Sequence, residues 1–312
     1  MKIYVLDEMY PGGVELAAKR AEVVHWDDPR VKGWHEDADG LMIRLTRIQA
    51  ADFARAKRLK AVVKQGVGVD NIDLAAAREK GVVVCNTPGV NADAVAELTL
   101  GLALAVARRV AECDRRIRFD GSAIDRARFL GLELGGKTVG VIGMGNIGTR
   151  VARKFHAAFG ARILAYDPYV ARDIWPDIPH ERLDSLDQMW PRVDVLTPHV
   201  PLTDETRHMI GREGIAKLKP TAIILNAARG GVVDEQALYA ALKAGKIFGA
   251  GLDVFEAEPP TNRDPLLSLT NVVATPHGGG GTLETQAKSS IAVAETLLAV
   301  LDGNIPAKAR VA

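Results

Sequence analysis

Three glycines that follow a hydrophobic strand constrain the fold of this chain more than any other sequence feature. The run Thr138–Ile142 is typical of a buried strand, and Gly143, Gly145 and Gly148 come directly after it. The stretch Ile147–Phe159 then has the pattern of a helix. A strand, a G-x-G-x-x-G turn and a helix in this order predict the first βα unit of a dinucleotide-binding domain.

Each glycine has its own physical role in such a turn. Gly143 permits the tight turn, Gly145 lets the backbone approach a pyrophosphate, and Gly148 allows the helix to pack closely on the strand. The helix begins near Asn146 and Ile147, where backbone amides and the helix dipole favour a phosphate. We therefore expect these five residues to bind the cofactor.

A carboxylate follows the next predicted strand, where a ribose of the cofactor is expected. The strand Arg162–Tyr166 ends at Asp167, nineteen residues after Gly148. This carboxylate can accept hydrogen bonds from ribose hydroxyls and would repel a 2′-phosphate, which favours NAD over NADP. Arg172 lies close enough in the sequence to keep NADP as an alternative, and an Asp that only caps a loop is the competing interpretation.

Short β-rich runs alternate with helical stretches along the whole chain. Continuous Val, Ile and Leu runs predict strands buried on both faces of parallel sheets, and their alternation with helices predicts an α/β fold. The strands fall into two series, which indicates two doubly wound parallel-sheet domains. The first series is Ile3–Leu6, Glu22–Trp26, Leu41–Ile43, Ala61–Lys64 and Val82–Cys85. The second series is Thr138–Ile142, Arg162–Tyr166, Val193–Thr197, Ala222–Asn226, Gly249–Val254 and Val272–Thr275.

Chain length also favours two domains, because 312 residues exceed the usual size of one hydrophobic core. A long helical stretch from about 92 to 120 separates the two series of strands. We predict a cofactor domain over 99–281, inserted in a second domain formed by 1–98 and 282–312. The apolar surface of Ala94–Ala107 predicts burial in a core or in a homodimer interface, and the pattern favours neither.

Composition argues against several classes of partner. Forty basic residues stand against thirty-nine acidic ones, a formal charge of +1, so nothing favours nucleic acid. The longest apolar run, 98–107, is far shorter than the roughly 20 residues that cross a bilayer, so we expect no membrane partner. Cys85 and Cys113 lack metal-ligand spacing, which predicts neither a metal site nor a disulfide scaffold and favours the reducing cytoplasm.

Several further motifs follow one another along almost the whole chain. They are Gly66–Asp73, Asn86–Gly89, Val95–Glu97, His199–Thr206, Asn226–Gly231, Asp253–Pro259 and Thr275–His277. In this order they resemble the D-isomer-specific 2-hydroxyacid dehydrogenase family, which includes phosphoglycerate dehydrogenases, glyoxylate/hydroxypyruvate reductases and D-lactate dehydrogenases. The resemblance implies a Rossmann NAD-binding domain inserted in a flavodoxin-like substrate domain. It also implies NAD-dependent interconversion of a small D-2-hydroxy acid and its 2-keto acid, and a homodimer formed through the NAD-binding domain.

The catalytic residues of that family correspond to Arg229, Glu258 and His277. Reduction of a keto acid needs a proton for the developing alkoxide, and histidine suits this role because its pKa lies near neutrality. Glu258 would stabilise the imidazolium and orient the ring. Arg229 would bind the substrate carboxylate and carbonyl oxygens through its planar set of donors.

Each of the three residues also has a purely structural interpretation. Arg229 could form a surface salt bridge, Glu258 could cap a turn, and His277 could be a satisfied buried histidine beside a glycine turn. All three follow predicted strands of the second series, however, and open parallel sheets bind ligands beyond the carboxyl ends of their strands. This placement favours the catalytic interpretation.

The resemblance implies further contacts with cofactor and substrate. The remaining cofactor contacts are Val200, Pro201, Thr206, Ala227, Ala228, Arg229, Asp253, His277 and Gly280. The substrate contacts are Val67, Gly68, Arg229 and His277. Glycines in the loop 66–69 would let backbone amides face a carboxylate, although a tight turn explains them equally well.

Two other functions stay open at this point. One is oxidation of another small anion on the same scaffold, as in formate or phosphite dehydrogenase; formate dehydrogenases pair the catalytic histidine with glutamine, and Glu258 argues against that interpretation. The other is a non-catalytic NAD-sensing binding protein, because such relatives can keep the catalytic residues. Four glycines, 278–281, stand where the family commonly has a larger apolar residue after the histidine, which leaves the identity of the keto acid open.

Overall fold

A computed structural model describes residues 1–121, 124–171, 173 and 175–312 of the chain. It contains two compact units. The first unit is Met1–Asn91 together with Gly280–Ala312, and the second is Ala92–Gly279. The second unit is therefore an insertion in the first.

The first unit contains a parallel sheet of five strands in the order β2-β1-β3-β4-β5 within its described residues. The strands are β1 Lys2–Val5, β2 Glu22–Val24, β3 Gly40–Ile43, β4 Ala61–Lys64 and β5 Val83–Asn86. The helices are α1 Pro11–Ala18, α2 Trp34–Asp37, α3 Ala50–Arg55, α4 Leu74–Lys80 and, after the insertion, α10 Leu283–Leu301.

Continuous apolar strands are buried here because helices cover both faces of the sheet. Ile3 and Val5 point to one face, where they join a core that includes Leu297 of α10. Tyr4, between them in the sequence, points to the opposite face and joins a core that includes Phe53 of α3. Successive residues of one strand thus supply two different cores, which explains the absence of a polar alternation.

The second unit contains a parallel sheet of seven strands in the order β12-β11-β10-β9-β6-β7-β8 within its described residues. The strands are β6 Thr138–Ile142, β7 Arg162–Tyr166, β8 His180–Arg182, β9 Val195–Pro198, β10 Ile223–Asn226, β11 Gly249–Leu252 and β12 Val272–Ala274. The helices are α5 Ala92–Ala107, α6 Val110–Arg115, α7 Asn146–Phe159, α8 Arg212–Ala216 and α9 Glu235–Lys243. The chain leaves β6 toward β7 on one side and returns to β9 on the other. Loops at the carboxyl ends of β6 and β9 therefore flank the point where the strand order reverses, where open α/β sheets bind ligands.

The predicted fold class of two parallel α/β sheets is confirmed, and all eleven predicted strands form. Their ends lie within two residues of the predicted ones; Glu22–Trp26, for example, ends at Val24. The short strand β8 was not predicted from the sequence. It pairs only with β7 among the described residues, and its three residues are His, Glu and Arg, so no apolar run marks it.

The predicted helical stretch from about 92 to 120 forms, but it is not one continuous helix. The stretch is divided at Arg109, which adopts a left-handed backbone conformation with φ of 53°. The guanidinium of Arg109 bonds both carboxylate oxygens of the buried Glu112, at 2.9 and 3.0 Å, and lies 3.6 Å from the ring centre of Phe129. These contacts hold a break that neither Gly nor Pro marks. α5 therefore ends at Ala107, and α6 is followed by a single π-helical turn, Arg116–Asp120.

Among the residues that the structure describes, no helix combines the length and the apolar character needed to cross a membrane.

Two adjacent glycines of α1 test how the first unit is packed. A Cβ atom at Gly13 would overlap the backbone carbonyl of Ser290 on α10, whereas the nearest atom to a Cβ at Gly12 lies 3.8 Å away. We expect Gly13→Ala to lower the free energy of unfolding by about 1–3 kcal/mol, because the two helices must separate. Gly12→Ala should change it by less than about 1 kcal/mol. Urea unfolding followed by circular dichroism measures both, and equal losses would contradict this packing.

Candidate active site

The glycine turn after β6 is tightly enclosed on its inner side. Gly143 has φ of 85°, which glycine adopts readily, and a Cβ there would lie 2.7 Å from the carbonyl oxygen of His199 and from Val200. A Cβ at Gly148 would overlap the carbonyl oxygen of Gly143. Both positions need glycine because α7 and the loop after β9 approach the backbone of the turn closely.

The outer side of the same turn is open. Gly145 precedes α7 and provides no side-chain cap, and nothing lies within 4 Å of a Cβ built on it. Gly145 and Asn146 are exposed, and Ile147 is half-buried. The first amides of a helix have no acceptor within the helix, so this end of α7 presents donors and the positive end of the helix dipole. The arrangement fits an anionic group held by backbone amides.

Asp167 is held beside this turn by two backbone amides. Its side chain accepts hydrogen bonds from the amides of Met144 at 2.8 Å and Tyr169 at 3.0 Å, and the residue is buried. The carboxylate therefore links the end of β7 to the glycine turn and stays next to it. Each carboxylate oxygen has a further lone pair for a hydroxyl donor. Arg172, the residue that kept NADP as an alternative, lies outside the described residues.

The loop after β9 contains Val200, Pro201 and Thr206, and Val200 lies beside the glycine turn. The Thr206 hydroxyl donates to the carbonyl oxygen of Pro201 at 2.6 Å and accepts from the amide of Thr203 at 2.8 Å. His199 lies where the loop begins, and burial lowers its pKa to about 3. His199 is therefore neutral at physiological pH and acts as a structural residue of this loop.

The loop after β10 folds over the side chain of Asn226. Its amide nitrogen donates to the carbonyl oxygen of Arg229 at 2.9 Å, and its oxygen accepts from the amide of Ala228 at 3.1 Å. Ala227 and Ala228 are buried, while Arg229 is half-buried and donates to the carbonyl oxygen of Ala228 at 2.6 Å. Asn226 was not among the predicted site residues. Its position as the last residue of a buried strand, from which Asn can bond the loop that follows, is the signal that could have identified it.

Glu258 and His277 form a direct pair. Nδ1 of His277 lies 2.7 Å from Oε2 of Glu258, and the second carboxylate oxygen accepts from the amide of Phe255 at 3.1 Å. The His277 side chain is 48% exposed and that of Glu258 is 34% exposed. With Nδ1 engaged by Glu258, Nε2 is the ring nitrogen that can exchange a proton with a ligand.

The surroundings of Glu258 keep it ionised at neutral pH. Burial by itself would raise its pKa, but hydrogen bonds from the His277 ring and the Phe255 amide lower it more. The positive charges of His277 and Arg229 act in the same direction. The net pKa of Glu258 lies below its usual range, so its negative charge is available to stabilise an imidazolium at His277.

Asp253, one of the predicted cofactor contacts, holds the loop that carries His277. Its buried carboxylate accepts from the Thr275 hydroxyl at 2.6 Å and from the amides of Gly278 and Gly279 at 2.7 and 2.9 Å. The backbone amide of His277 also donates to the carbonyl oxygen of Asp253 at 2.7 Å. These bonds hold His277 in a left-handed conformation with φ of 55°. The geometry therefore gives Asp253 a structural task beside the predicted one.

The remaining predicted residues, Val67, Gly68 and Gly280, belong to the first unit. The loop that contains Val67 and Gly68 is anchored within that unit. The amide of Gly66 donates to the Thr87 hydroxyl at 2.8 Å, and the carbonyl oxygen of Val67 accepts from the Asn86 side chain at 2.7 Å. The predicted contacts of these three residues with substrate and cofactor stay predictions.

Comparison with known proteins gives consistent matches. Residues 100–279 match the family model described as D-isomer specific 2-hydroxyacid dehydrogenase, NAD binding domain. D-3-phosphoglycerate dehydrogenase of Methanocaldococcus jannaschii is 48% identical over 98% of this chain, which spans 58% of that relative's length. Hydroxypyruvate reductase of Thermotoga maritima is 47% identical over 95% of this chain and 97% of its own. The crystal structure of a Thermus thermophilus protein superposes with a TM-score of 0.89 at 40% identity, over 100% of both chains.

Substitution of Gly145 tests cofactor binding without a change in the stability of the fold. Because its Cβ position is empty, we expect Gly145→Ala to unfold at the same temperature as the wild type. The added methyl group would occupy the space that a pyrophosphate needs, so the dissociation constant for NADH should rise about tenfold or more, which corresponds to about 1.4 kcal/mol. NADH fluorescence titration measures the affinity. Gly135→Ala, also with nothing within 4 Å, is the matched control, and equal NADH affinities would contradict this assignment.

Proposed function

The chain belongs to the D-isomer-specific 2-hydroxyacid dehydrogenase family, and we propose that it interconverts a small D-2-hydroxy acid and its 2-keto acid with NAD. The observation that carries this proposal is the 2.7 Å pair of His277 and Glu258, with Arg229 on the neighbouring loop of the same sheet. The cofactor, when bound, would supply the hydride as NADH in reduction and accept it as NAD+ in oxidation. The other tasks of the reaction belong to the side chains of this chain.

His277 exchanges the proton in the proposed reaction. In reduction, Nε2 of the imidazolium gives its proton to the oxygen of the developing alkoxide, and a neutral ring remains. In oxidation, neutral Nε2 takes the proton from the substrate hydroxyl. Glu258 keeps the proton of the neutral ring on Nδ1 and stabilises the charged ring in both directions.

Arg229 positions the keto acid in this proposal. Its guanidinium has parallel donors that match a carboxylate and an adjacent carbonyl oxygen, and it keeps its charge at every physiological pH. The Asn226 side chain fixes the loop behind it, so the donors start from a defined backbone. For Val67 and Gly68 in the first unit, a contact with the substrate carboxylate is proposed on the resemblance of their loop to the family's substrate loop alone.

We propose NAD rather than NADP as the cofactor. The open amides at Gly145, Asn146 and Ile147 fit the pyrophosphate, and Val200 lies against the same turn, on the loop that also contains Pro201 and Thr206. Asp167 is the main argument for NAD, because two amides hold its carboxylate beside the turn. A carboxylate fixed there accepts ribose hydroxyls and repels a 2′-phosphate.

We propose that the protein acts in the cytoplasm. Both cysteines, Cys85 and Cys113, are free thiols, and Cys85 is buried. Unpaired thiols of this kind are typical of a reducing compartment.

We also propose a homodimer formed through the NAD-binding domain. Between positions 104 and 130 of that domain, the described residues include five exposed large apolar side chains: Leu104, Val110, Ile117, Phe119 and Leu130. Phe119, at 79% exposure, is the largest of them. A symmetric interface would cover exposed apolar side chains of this kind.

A pair of charged substitutions tests the dimer. Light scattering of the wild type should give twice the 33.5 kDa mass of one chain. Ile117→Glu combined with Phe119→Glu should give a single chain, because burial of two carboxylates in an apolar interface is unfavourable. Leu283→Glu, which also replaces an exposed apolar residue but in the first unit, should remain dimeric. A wild type of single-chain mass would refute the dimer.

Loss of NADH absorbance with several 2-keto acids tests the proposed reaction. We expect turnover with one or more of glyoxylate, hydroxypyruvate, phosphohydroxypyruvate, pyruvate and longer keto acids, and slower turnover with NADPH. His277→Ala should lower kcat by about 10²–10⁴-fold, because a positioned acid contributes about that much. Its dissociation constant for NADH should stay unchanged.

His25→Ala, which removes an exposed histidine of the first unit, is the matched control and should keep wild-type kcat. Tight NADH binding without turnover of any keto acid would refute the enzyme and favour an NAD-sensing protein. Full activity in His277→Ala would remove His277 from the reaction.

A further inference from the structure

Two glutamates behind the catalytic pair bond each other's backbone. Glu235 is the first residue of α9, and Glu256 lies on the loop between β11 and Glu258. The amide of Glu256 donates to Oε1 of Glu235 at 2.7 Å, and the amide of Glu235 lies 3.4 Å from Oε1 of Glu256. The loop is thereby joined to the start of a helix twenty-one residues earlier in the chain. Neither residue was singled out from the sequence.

This connection lies two residues from the catalytic carboxylate. Glu258 bends back to accept the amide of Phe255, the residue directly before Glu256. The backbone of Phe255 is fixed on its other side by Gly230, since a Cβ at Gly230 would overlap the carbonyl oxygen of Phe255. The position of Glu258 thus depends on a short segment that Gly230 packs against and that the carboxylate of Glu235 holds by the Glu256 amide.

We propose that Glu235 is a positioning residue for the reaction: by accepting the amide of Glu256, it fixes the loop that presents Glu258 to His277. This inference rests on the proposed function, because it assigns a task within the same catalytic pair. Among the described residues Glu235 does not bond His277 directly, so it acts through Glu258. Removal of its carboxylate would loosen Glu258 and weaken the stabilisation of the imidazolium.

The charge of Glu235 depends on pH near neutrality. Burial is the main cause that raises its pKa to about 7, and the carboxylates of Glu256, Asp264 and Glu258 add to the increase. The bond from the Glu256 amide opposes this shift. The ring of His208 also contacts the pair, with Nε2 2.9 Å from Oε1 of Glu256. An ionised acceptor bonds an amide more strongly than a neutral one, so the anchor strengthens as the pH rises through neutrality.

Substitutions at Glu235 separate positioning from a general structural role. Glu235→Ala removes the acceptor, whereas Glu235→Gln keeps an oxygen that can accept the Glu256 amide. Glu213→Gln is the matched control, because Glu213 also stands in the first turn of a helix of the same unit and is exposed. For each protein, three quantities are measured: kcat with the best keto acid, the dissociation constant for NADH, and the titration midpoint of His277 by histidine ring NMR.

We expect Glu235→Ala to lower kcat about tenfold and to lower the titration midpoint of His277, because a misplaced Glu258 stabilises the imidazolium less. NADH affinity should stay unchanged. Compared with Glu235→Ala, Glu235→Gln should restore the wild-type kcat at pH 6 and the wild-type titration midpoint of His277. Glu213→Gln should match the wild type in all three measurements. The NMR titration needs no turnover, so it tests the inference even where the proposed reaction fails.

Three results would overturn the inference. The first is that the titration midpoint of His277 in Glu235→Ala equals that of the wild type. The second is that this variant loses kcat and NADH affinity by the same factor. The third is a Glu235→Gln variant as impaired as the alanine variant. A wild type without turnover, but with a midpoint of His277 that falls in Glu235→Ala, would instead refute the proposed function and keep the positioning role.

The temperature of unfolding gives an independent check on the ionisation of Glu235. Its pKa in the folded chain lies above the ordinary value of 4.5, so folding disfavours the ionised form. The contribution of Glu235 to stability therefore falls as the pH rises from about 5 through 7, and Glu235→Gln lacks this loss. Relative to the wild type, Glu235→Gln should melt higher at pH 8 than at pH 5. A difference independent of pH would contradict this ionisation.

Discussion

The register of the parallel strands in the second unit is the constraint on which the candidate site depends. Asn226 of β10 lies beside Leu252 of β11, and Leu252 lies beside Ala274 of β12. The three loops that follow therefore leave the sheet from one row of residues. Arg229 and His277 each come three residues after this row, and Glu258 comes six after it. Residues up to forty-eight positions apart in the chain share one edge of the sheet for this reason.

Buried polar groups convert this shared edge into a defined geometry. Asn226 closes the Arg229 loop, Asp253 closes the His277 loop, and Asp167 ties β7 to the glycine turn. Asn226 ends a strand, Asp167 and Asp253 each follow one directly, and all three bond backbone groups of their own or a neighbouring loop. A buried polar group without a partner would cost about 1–3 kcal/mol, so each loop has a strong preference for the conformation that satisfies it. The loops are thus held by bonds to the ends of the sheet.

Sequence reasoning succeeded where a geometric need restricts the residue type. Neighbouring backbone atoms lie so close to Gly143 and Gly148 that no side chain fits at either position. The glycine pattern could therefore be recognised in the sequence alone. It failed where the cause was a contact between distant residues. The helix break at Arg109 depends on Glu112 and Phe129, and nothing in the residue itself marks a break. The bonds between Glu235 and Glu256 were invisible for the same reason, because the periodicity of α9 shows only that Glu235 begins a helix.

Energetics favour a chemical reason for the arrangement around His277. A left-handed backbone at a residue other than glycine costs about 1–2 kcal/mol, and His277 adopts φ of 55°. Its hydrogen-bonded pair with Glu258 is about half exposed, and even a fully charged exposed pair contributes only about 0–1 kcal/mol to stability. The pair therefore does not offset the cost of the left-handed backbone. The hydrogen bonds from Gly278 and Gly279 to Asp253 stabilise this conformation instead. Stability alone would favour a glycine at position 277, because glycine adopts this conformation without strain. The presence of an imidazole there, with Nδ1 fixed by a carboxylate, is explained by the proton that Nε2 exchanges in the proposed reaction.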